Sequence, residues 1–196
     1  MPHITPLTEE DLPDYRDEFA AMAAGAGYVP NSFWTLGRRP QILDAVRTLA
    51  QAVFSGSVDP GLKSLVAVMS SYGAGCKYCQ AHQAVASLHR GVTQDKLDAL
   101  ASFEHSPLFS DADRAALRLA FASGQQPNGA TAQHFDDLRH HFDDGELVEI
   151  CAVIALFGFL NRWNETVATE LEDVPVTVAS KHLDGLRWEP GRHRPN

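Results

Sequence analysis

The segment from residue 146 to about residue 171 constrains the fold of this chain more than any other part of the sequence. Its apolar side chains recur at intervals of three and four residues, which is typical of an α-helix; they include Leu147, Ile150, Ile154, Phe157 and Leu160. Apolar residues cover most of the circumference of such a helix, and a helix of this kind is normally buried. The sequence therefore predicts a long helix at the centre of the fold or at an interface between subunits.

Glycine, proline and capping residues divide the rest of the chain into further helices. Pro40 and the pair Asp59-Pro60 are each followed by an apolar stripe at helical spacing, and proline suits the first turn of a helix. No segment gives a convincing set of alternating strands. The fold is therefore predicted to be all-α. Near the C-terminus, residues 174–178 are expected to be extended and residues 191–196 to be mobile.

A weak internal repeat relates two parts of the chain at an offset of 85 residues. In that register, Asn161 and Asn164 occupy the positions that Cys76 and Cys79 occupy in the first part. The repeat predicts two related helical hairpins, one with the cysteine pair and one without it, in halves of about residues 40–105 and 110–172. Chance similarity between two apolar helices is the alternative explanation.

Length and charge limit the classes of protein to consider. A chain of 196 residues fits a single domain, residues 1–196, with a substantial core. The net charge of −9 argues against a nucleic-acid-binding surface and is explained by a solvated acidic exterior. No apolar run approaches the length of a transmembrane span, and the first residues lack the features of a signal peptide. A cytoplasmic protein that binds neither nucleic acid nor membrane is expected.

The densest group of reactive side chains follows the turn Gly73-Ala74-Gly75. Cys76, Cys79 and His82 come next, at intervals of three residues. If residues 76–89 form a helix, Cys76 lies in its first turn and the other two follow along one face. The partial positive charge at a helix N-terminus stabilises a thiolate and lowers the pKa of the thiol. These three residues are the candidate catalytic residues.

Three interpretations of the cysteine pair follow from the residues alone. In a dithiol redox centre, one thiolate attacks an oxidised substrate, the other closes a disulfide, and His82 accepts or relays a proton. A structural zinc site needs four ligands, and the sequence has no second CxxC pair, so His82 and Cys151 would have to be supplied by the fold. Packing alone is disfavoured by the glycine turn and helix start. Cys151 lies in an apolar run and is interpreted as a buried structural cysteine.

The sequence resembles the carboxymuconolactone decarboxylase and alkylhydroperoxidase D (AhpD)-like family. The resemblance rests on residues 62–71 and 76–82, and residues 27–33 and 157–162 resemble the signatures of its peroxidase-related branch. It implies an all-helical, AhpD-like fold that forms homo-oligomers, as dimers, trimers or hexamers. It also implies that the cysteine pair reduces a peroxide or disulfide substrate without haem, metal or other cofactor, using electrons from a thiol donor that the sequence does not identify.

The resemblance also implies roles for the two thiols. Cys79 would attack the peroxide and Cys76 would resolve the product, whereas the helix dipole by itself favours Cys76 as the more acidic thiol. The family usually carries a glutamate and a histidine where this chain has Ser64 and Gln83. His82 is then the candidate proton relay.

Glu149 is a weaker candidate for the relay, because the repeat aligns it with Ser64. Loss of a positioned base would slow catalysis by about 10²–10⁴-fold. The alternative function is therefore a redox sensor or interaction protein that kept the disulfide and lost turnover. Lactone decarboxylation is discounted because the decarboxylase members of the family lack the cysteine pair.

Overall fold

The fold is organised around one helix that is buried on nearly every side. The computed structural model describes residues 2–195, which contain α-helices and short 3-10 turns and no β-strand. The helices are α1 (Arg16–Ala26), α2 (Asn31–Leu36), α3 (Pro40–Phe54), α4 (Pro60–Ala74), α5 (Lys77–His89), α6 (Gln94–Asp98), α7 (Asp111–Gly124), α8 (Ala132–Leu138), α9 (Asp144–Val167) and α10 (Asp173–His182). The all-α prediction is confirmed.

Helix α4 forms the centre of this arrangement. All of residues 61–71 are buried, and the helix packs against α5, α7 and α9. It begins where Asp59 Oδ1 accepts a hydrogen bond from the Leu62 N–H at 2.8 Å, as expected for an N-cap. Its contact with α7 depends on Gly124, where an added Cβ would lie 2.1 Å from the carbonyl oxygen of Ser70. The backbones of α4 and α7 can therefore approach this closely only because position 124 has no side chain.

Helix α9 is the long apolar helix that the sequence predicts, although it ends at Val167, where Ala168 adopts a left-handed φ of 55°. One face of it packs on the core. Phe159 on the outer face is 43% exposed and lies with the exposed Ile42 and Leu49 of α3 along one shallow apolar groove. The expectation that α9 contributes to an interface between subunits stays a prediction. Within residues 2–195, no helix has the length and apolarity needed to cross a membrane.

The C-terminal segment differs from both expectations drawn from its sequence. Residues 174–178 lie in α10 and are not extended. Pro175 is compatible with the helix because it occupies the first turn, where a backbone N–H has no intrahelical partner. Residues beyond α10 fold back on the core, and His193 is fully buried, with its carbonyl accepting a hydrogen bond from Leu171 N at 2.9 Å. The burial of His193 contradicts the prediction of a mobile end at that residue, whereas Gly191, Arg192 and Arg194 are exposed; Asn196 lies outside the described residues.

Candidate active site

The two thiols lie at the N-terminus of α5, as the sequence predicts. Gly75, with a left-handed φ of 78°, ends α4 and reverses the chain direction. Cys76 follows as the N-cap residue of α5, and Cys79 lies in the first turn of that helix. Both cysteines are buried and unbridged. The local sequence is sufficient for this placement because only glycine adopts the left-handed turn without strain.

The two cysteines face different surroundings. Cys79 lines a cavity of about 590 Å³, whereas Cys76 is not among its lining residues. The amide of Asn164 also lines this cavity and contacts Cys79, with Nδ2 lying 3.5 Å from Sγ. Much of the wall is apolar and includes Phe33, Phe54, Leu156, Phe157 and Leu160. A substrate in the cavity would therefore meet Cys79 before Cys76. Asn164, which the internal repeat aligns with Cys79, is in contact with that thiol.

The thiol of Cys76 is held in its protonated form. A hydrogen bond between the two thiols and complete burial raise the pKa of Cys76 well above its usual value, and the nearby charge of Glu165 acts in the same direction. The raised pKa of Cys76 is opposite in direction to the shift that the helix dipole alone would produce. Burial and the neighbouring sulfur outweigh the partial charge of the helix end.

His82 lines the same cavity as Cys79, and a carboxylate fixes its ring. Its Nε2 lies 2.7 Å from Glu172 Oε2. The ring stacks on Tyr78 with 4.2 Å between centroids, and Tyr28 meets it edge-on. Among residues 2–195, no hydrogen bond joins this imidazole to either thiol. His82 therefore lies beside the thiol pair with its orientation set by Glu172.

Tyr78 connects this imidazole–carboxylate pair to the N-terminal part of the chain. Its hydroxyl donates to Glu172 Oε1 at 3.2 Å and accepts from the Ser32 N–H at 3.1 Å. Glu172 Oε1 also accepts a short hydrogen bond from the Asn31 N–H at the start of α2. Burial and the charge of Glu172 raise the pKa of Tyr78, so its hydroxyl remains a donor. The start of α2 thus helps to hold Glu172 in place.

The two positions where the family carries a glutamate and a histidine have a different role here. Ser64 Oγ donates to the carbonyl of Pro60 at 3.1 Å and accepts from Arg90 Nη1 at 2.7 Å. Arg90 also stacks on Phe54, with its guanidinium carbon 4.0 Å from the ring centroid. Arg90 and Gln83 both line the Cys79 cavity, and no carboxylate of residues 2–195 forms an ion pair with Arg90. Burial lowers the pKa of Arg90. The Arg90 guanidinium therefore gives this side of the cavity a positive charge.

Glu149 cannot act as the proton relay, which corrects the weaker of the two predicted assignments. Its carboxylate lies 2.7 Å from the ammonium of the fully buried Lys63 and accepts from the backbone N–H groups of Ser57 and Val58. The hydrogen bond from Lys63, followed by the backbone donors and the Lys63 charge, lowers the pKa of Glu149 to about 2, against a smaller opposing effect of burial. Glu149 is the partly exposed ion-pair partner of the buried Lys63.

A second imidazole–carboxylate pair, Glu165 and His193, lies beside Cys76, and neither residue lines the Cys79 cavity. Cys76 Sγ, a carboxylate oxygen of Glu165 and a ring nitrogen of His193 all lie within 4.8 Å of one another. His193 Nε2 is 2.8 Å from Glu165 Oε1, and Nδ1 is 2.7 Å from the carbonyl oxygen of Thr169. The sequence did not indicate this pair, because His193 belongs to the segment expected to be mobile. A search of the sequence for histidines other than His82 could have found this pair.

Cys151 does not join the other two cysteines. It is half-buried in α9 and lines a different surface depression from the one that contains Cys79. Burial raises its pKa. His82 is engaged with Glu172. The zinc site that would combine His82 and Cys151 with the CxxC pair is therefore not assembled in the described part of the chain.

Comparison with known proteins agrees with this geometry. Residues 40–122, which contain α4, the thiol pair and most of α7, match the model of the carboxymuconolactone decarboxylase family. The structure of the debrominase Bmp8, solved with 2,3,4-tribromopyrrole in a cysteine-to-alanine variant, superposes with a TM-score of 0.84 and 32% identity over 95% of this chain and 98% of that one. This chain belongs to the carboxymuconolactone decarboxylase family.

Two further relatives place this family member among AhpD-like proteins. A peroxidase-related protein with an AhpD core, from Ralstonia eutropha JMP134, superposes with a TM-score of 0.72 and 25% identity over 83% of this chain and 87% of that one. The uncharacterized protein YnjA of Escherichia coli K12 is 33% identical over 119 residues, which is 61% of this chain and 63% of that protein. The fold is therefore AhpD-like.

Proposed function

We propose that this protein is a thiol-dependent oxidoreductase that reduces organic peroxides with the Cys76–Cys79 pair. The observation that carries the proposal is the exposure of Cys79 to a cavity, with a second, protonated thiol hydrogen-bonded behind it. A thiol that meets substrate and a neighbour that can close a disulfide are the two parts that a dithiol centre requires.

The proposed reaction has three steps. The first two involve the peroxide and the two thiols of the protein, and the third involves an external thiol donor. Cys79 attacks the terminal oxygen of the peroxide, the O–O bond breaks, and an alcohol leaves while Cys79 becomes a sulfenic acid. Cys76 then attacks the sulfur of Cys79, so that an S–S bond forms, the S–OH bond breaks and water leaves. Two thiol groups of an external donor reduce the disulfide and are oxidised to their own disulfide. His82 lies in the cavity, where it can protonate the departing alkoxide.

The cavity favours an organic substrate over hydrogen peroxide. Its volume of about 590 Å³ lies in the range of pockets that hold drug-sized ligands. Its wall is largely apolar, with Arg90 as a cation held against Phe54. A hydroperoxide with an apolar body and one negatively charged group matches both features.

The test measures steady-state consumption of cumene hydroperoxide with dithiothreitol as donor. Cys79→Ser should abolish it, Cys76→Ser should abolish both turnover and the intramolecular disulfide, and Cys151→Ser is the matched control that should keep the wild-type rate. Equal rates in all four proteins reject the proposal. A reversible disulfide without turnover would instead support the alternative, a redox sensor or interaction protein.

Reductive dehalogenation is the second candidate, because Bmp8 is a debrominase with 32% identity over nearly the whole chain. The net reaction would convert an aryl bromide and two thiols into the arene C–H, bromide, a proton and the disulfide. Bromide release from a brominated pyrrole, measured with the same four proteins, decides between the two. Release that depends on Cys79 together with absent peroxide turnover would favour dehalogenation.

A further inference from the structure

The proton of Cys76 presents a problem that the cavity does not solve. Cys76 must lose this proton when it closes the disulfide, yet its side chain is fully buried and does not line the cavity. Hydroxide and buffer bases therefore have no direct access to it in the closed structure. The raised pKa of Cys76 adds to the difficulty, because little thiolate is present near neutral pH. A base inside the protein is needed.

Resting on the proposed dithiol chemistry, we propose that Glu165 is this base, positioned by His193 from the C-terminal segment. Cys76 Sγ lies within 4.8 Å of a carboxylate oxygen of Glu165, and the interaction between the two groups lowers the pKa of Glu165. The Glu165 side chain is 32% exposed, whereas that of His193 is 1% exposed. Glu165 therefore connects a thiol without solvent contact to the protein surface.

The hydrogen bonds of His193 fix the state of Glu165. A backbone carbonyl can only accept, so Nδ1 of His193 carries a hydrogen that it donates to Thr169. Burial alone would raise the pKa of Glu165, but the hydrogen bond and charge of His193, the charge of Arg192 and the hydrogen bond from Cys76 lower it. The lowered pKa keeps Glu165 as a carboxylate, whose Oε1 lies 2.8 Å from Nε2 of His193. The other carboxylate oxygen, Oε2, is then the one that accepts a proton.

The proton moves while the S–S bond forms. As Cys76 gives its electron pair to the sulfur of Cys79, its S–H becomes strongly acidic and the proton passes to a carboxylate oxygen of Glu165. The leaving group departs from Cys79 into the cavity. Reduction runs in the reverse sense: the donor thiolate attacks Cys79 from the cavity, Cys76 leaves, and Glu165 returns the proton to it.

Other charged groups surround this pair and must be included in any interpretation of pH dependence. Arg192 Nε lies 3.6 Å from Glu165 Oε2, and the Lys77 ammonium is also influenced by the Glu165 charge. On the other side, the ring of Tyr78 lies 5.8 Å from that of His193. The three clustered atoms are close enough to bind a metal ion, but the neighbouring Arg192 cation and the Nε2–Oε1 hydrogen bond favour a proton-transfer role.

The experiment follows both thiols with 5,5′-dithiobis(2-nitrobenzoate) in a Cys151→Ser background. Attack by Cys79 releases one coloured thiolate and leaves a mixed disulfide, and attack by Cys76 on that disulfide releases a second. The second phase therefore measures closure by Cys76 even if the protein reduces no peroxide. Failure of the peroxidase proposal and failure of the base proposal are thereby separated.

Glu165→Gln keeps the shape of the side chain and removes the base. We expect the first phase to change less than about threefold and the second to slow by about 10²-fold or more. The second phase of the unmodified protein should be nearly independent of pH between about 6 and 8. In Glu165→Gln it should rise about tenfold per pH unit, because only the ionised fraction of Cys76 reacts. Glu104→Gln, which breaks the surface ion pair with Arg118, is the matched control and should leave both phases unchanged.

His193→Gln tests the positioning role. Because His193 lowers the pKa of Glu165, its removal should raise that pKa and shift the acidic edge of the pH plateau upward, an effect that simple loosening of the fold would not produce. A wild-type second phase in Glu165→Gln, or a flat pH profile in that variant, overturns the proposal. Stoichiometric zinc in the purified protein that is lost in Glu165→Gln also overturns it.

Discussion

The ion pair between Lys63 and Glu149 gives the sharpest test of how this fold is held together. We predict that Glu149→Gln destabilises the protein and leaves the reaction of the thiols unchanged. The Lys63 side chain is fully buried, and among residues 2–195 its ammonium has two polar partners, Glu149 at 2.7 Å and the carbonyl of Val53 at 2.9 Å. The substitution therefore leaves a buried charge without its counter-ion.

The expected loss follows from that burial. Removing one partner of a buried ion pair costs about 3–5 kcal/mol, because the remaining charge is uncompensated. Glutamine still offers an oxygen to Lys63, so the lower end, about 3 kcal/mol, is expected. For a chain of this size each kcal/mol lowers Tm by about 2–4 °C, which gives a decrease of about 6–12 °C. Lys63→Met combined with Glu149→Gln should recover much of this loss, since no charge then remains buried.

The pH dependence of stability provides an independent measurement. The pKa of Glu149 is about 2 in the folded protein and near its ordinary value of 4.5 when unfolded. Its contribution is therefore complete above about pH 4.5 and is lost as the pH falls towards 2. Urea unfolding of both proteins between pH 7 and 3 should show that their difference shrinks on acidification. A pH-independent difference, or one below about 1 kcal/mol at pH 7, would refute the reasoning. A large loss of thiol reactivity in a folded variant would restore Glu149 as a relay.

Four further predictions concern packing, assembly and the site. Gly124→Ala should destabilise the protein by about 1–3 kcal/mol in chemical denaturation, because its Cβ would meet the carbonyl of Ser70 at 2.1 Å. If the protein forms the proposed homo-oligomer through the α3–α9 groove, Leu49→Glu should reduce its mass in light scattering, whereas the equally drastic Leu108→Glu on another exposed surface should not. Alkylation of Cys76 by iodoacetamide, followed by mass spectrometry, should be slow in the folded protein and fast after unfolding in urea, because the side chain of Cys76 is fully buried. Arg90→Met should raise KM for a hydroperoxide that carries a carboxylate and leave KM for its methyl ester unchanged; equal effects on both would show that Arg90 does not select charge.

Local sequence was sufficient to predict most of the helices. The apolar spacing in α3, α4 and α9 and the Asp59-Pro60 pair at the start of α4 mark these elements, because side chains three and four residues apart share one face of a helix. The same reasoning failed for residues 174–178. Their β-branched side chains suggest a strand, but a proline in the first turn and packing of α10 against α5 favour the helix.

The sequence by itself determined that this chain is all-α and that Cys76 and Cys79 lie at the start of a helix, because glycine turns, caps and helical spacing act over a few residues. Only the tertiary structure decided the environment of each thiol. Asn164, which contacts Cys79, is 85 residues away along the chain, and Glu172, which orients His82, is 90 residues from it. Glu165 reaches Cys76 from α9, and His193 reaches it only because the C-terminal segment folds back. The burial and the charged neighbours of each thiol are set by packing between residues far apart in the sequence, which no local sequence pattern encodes.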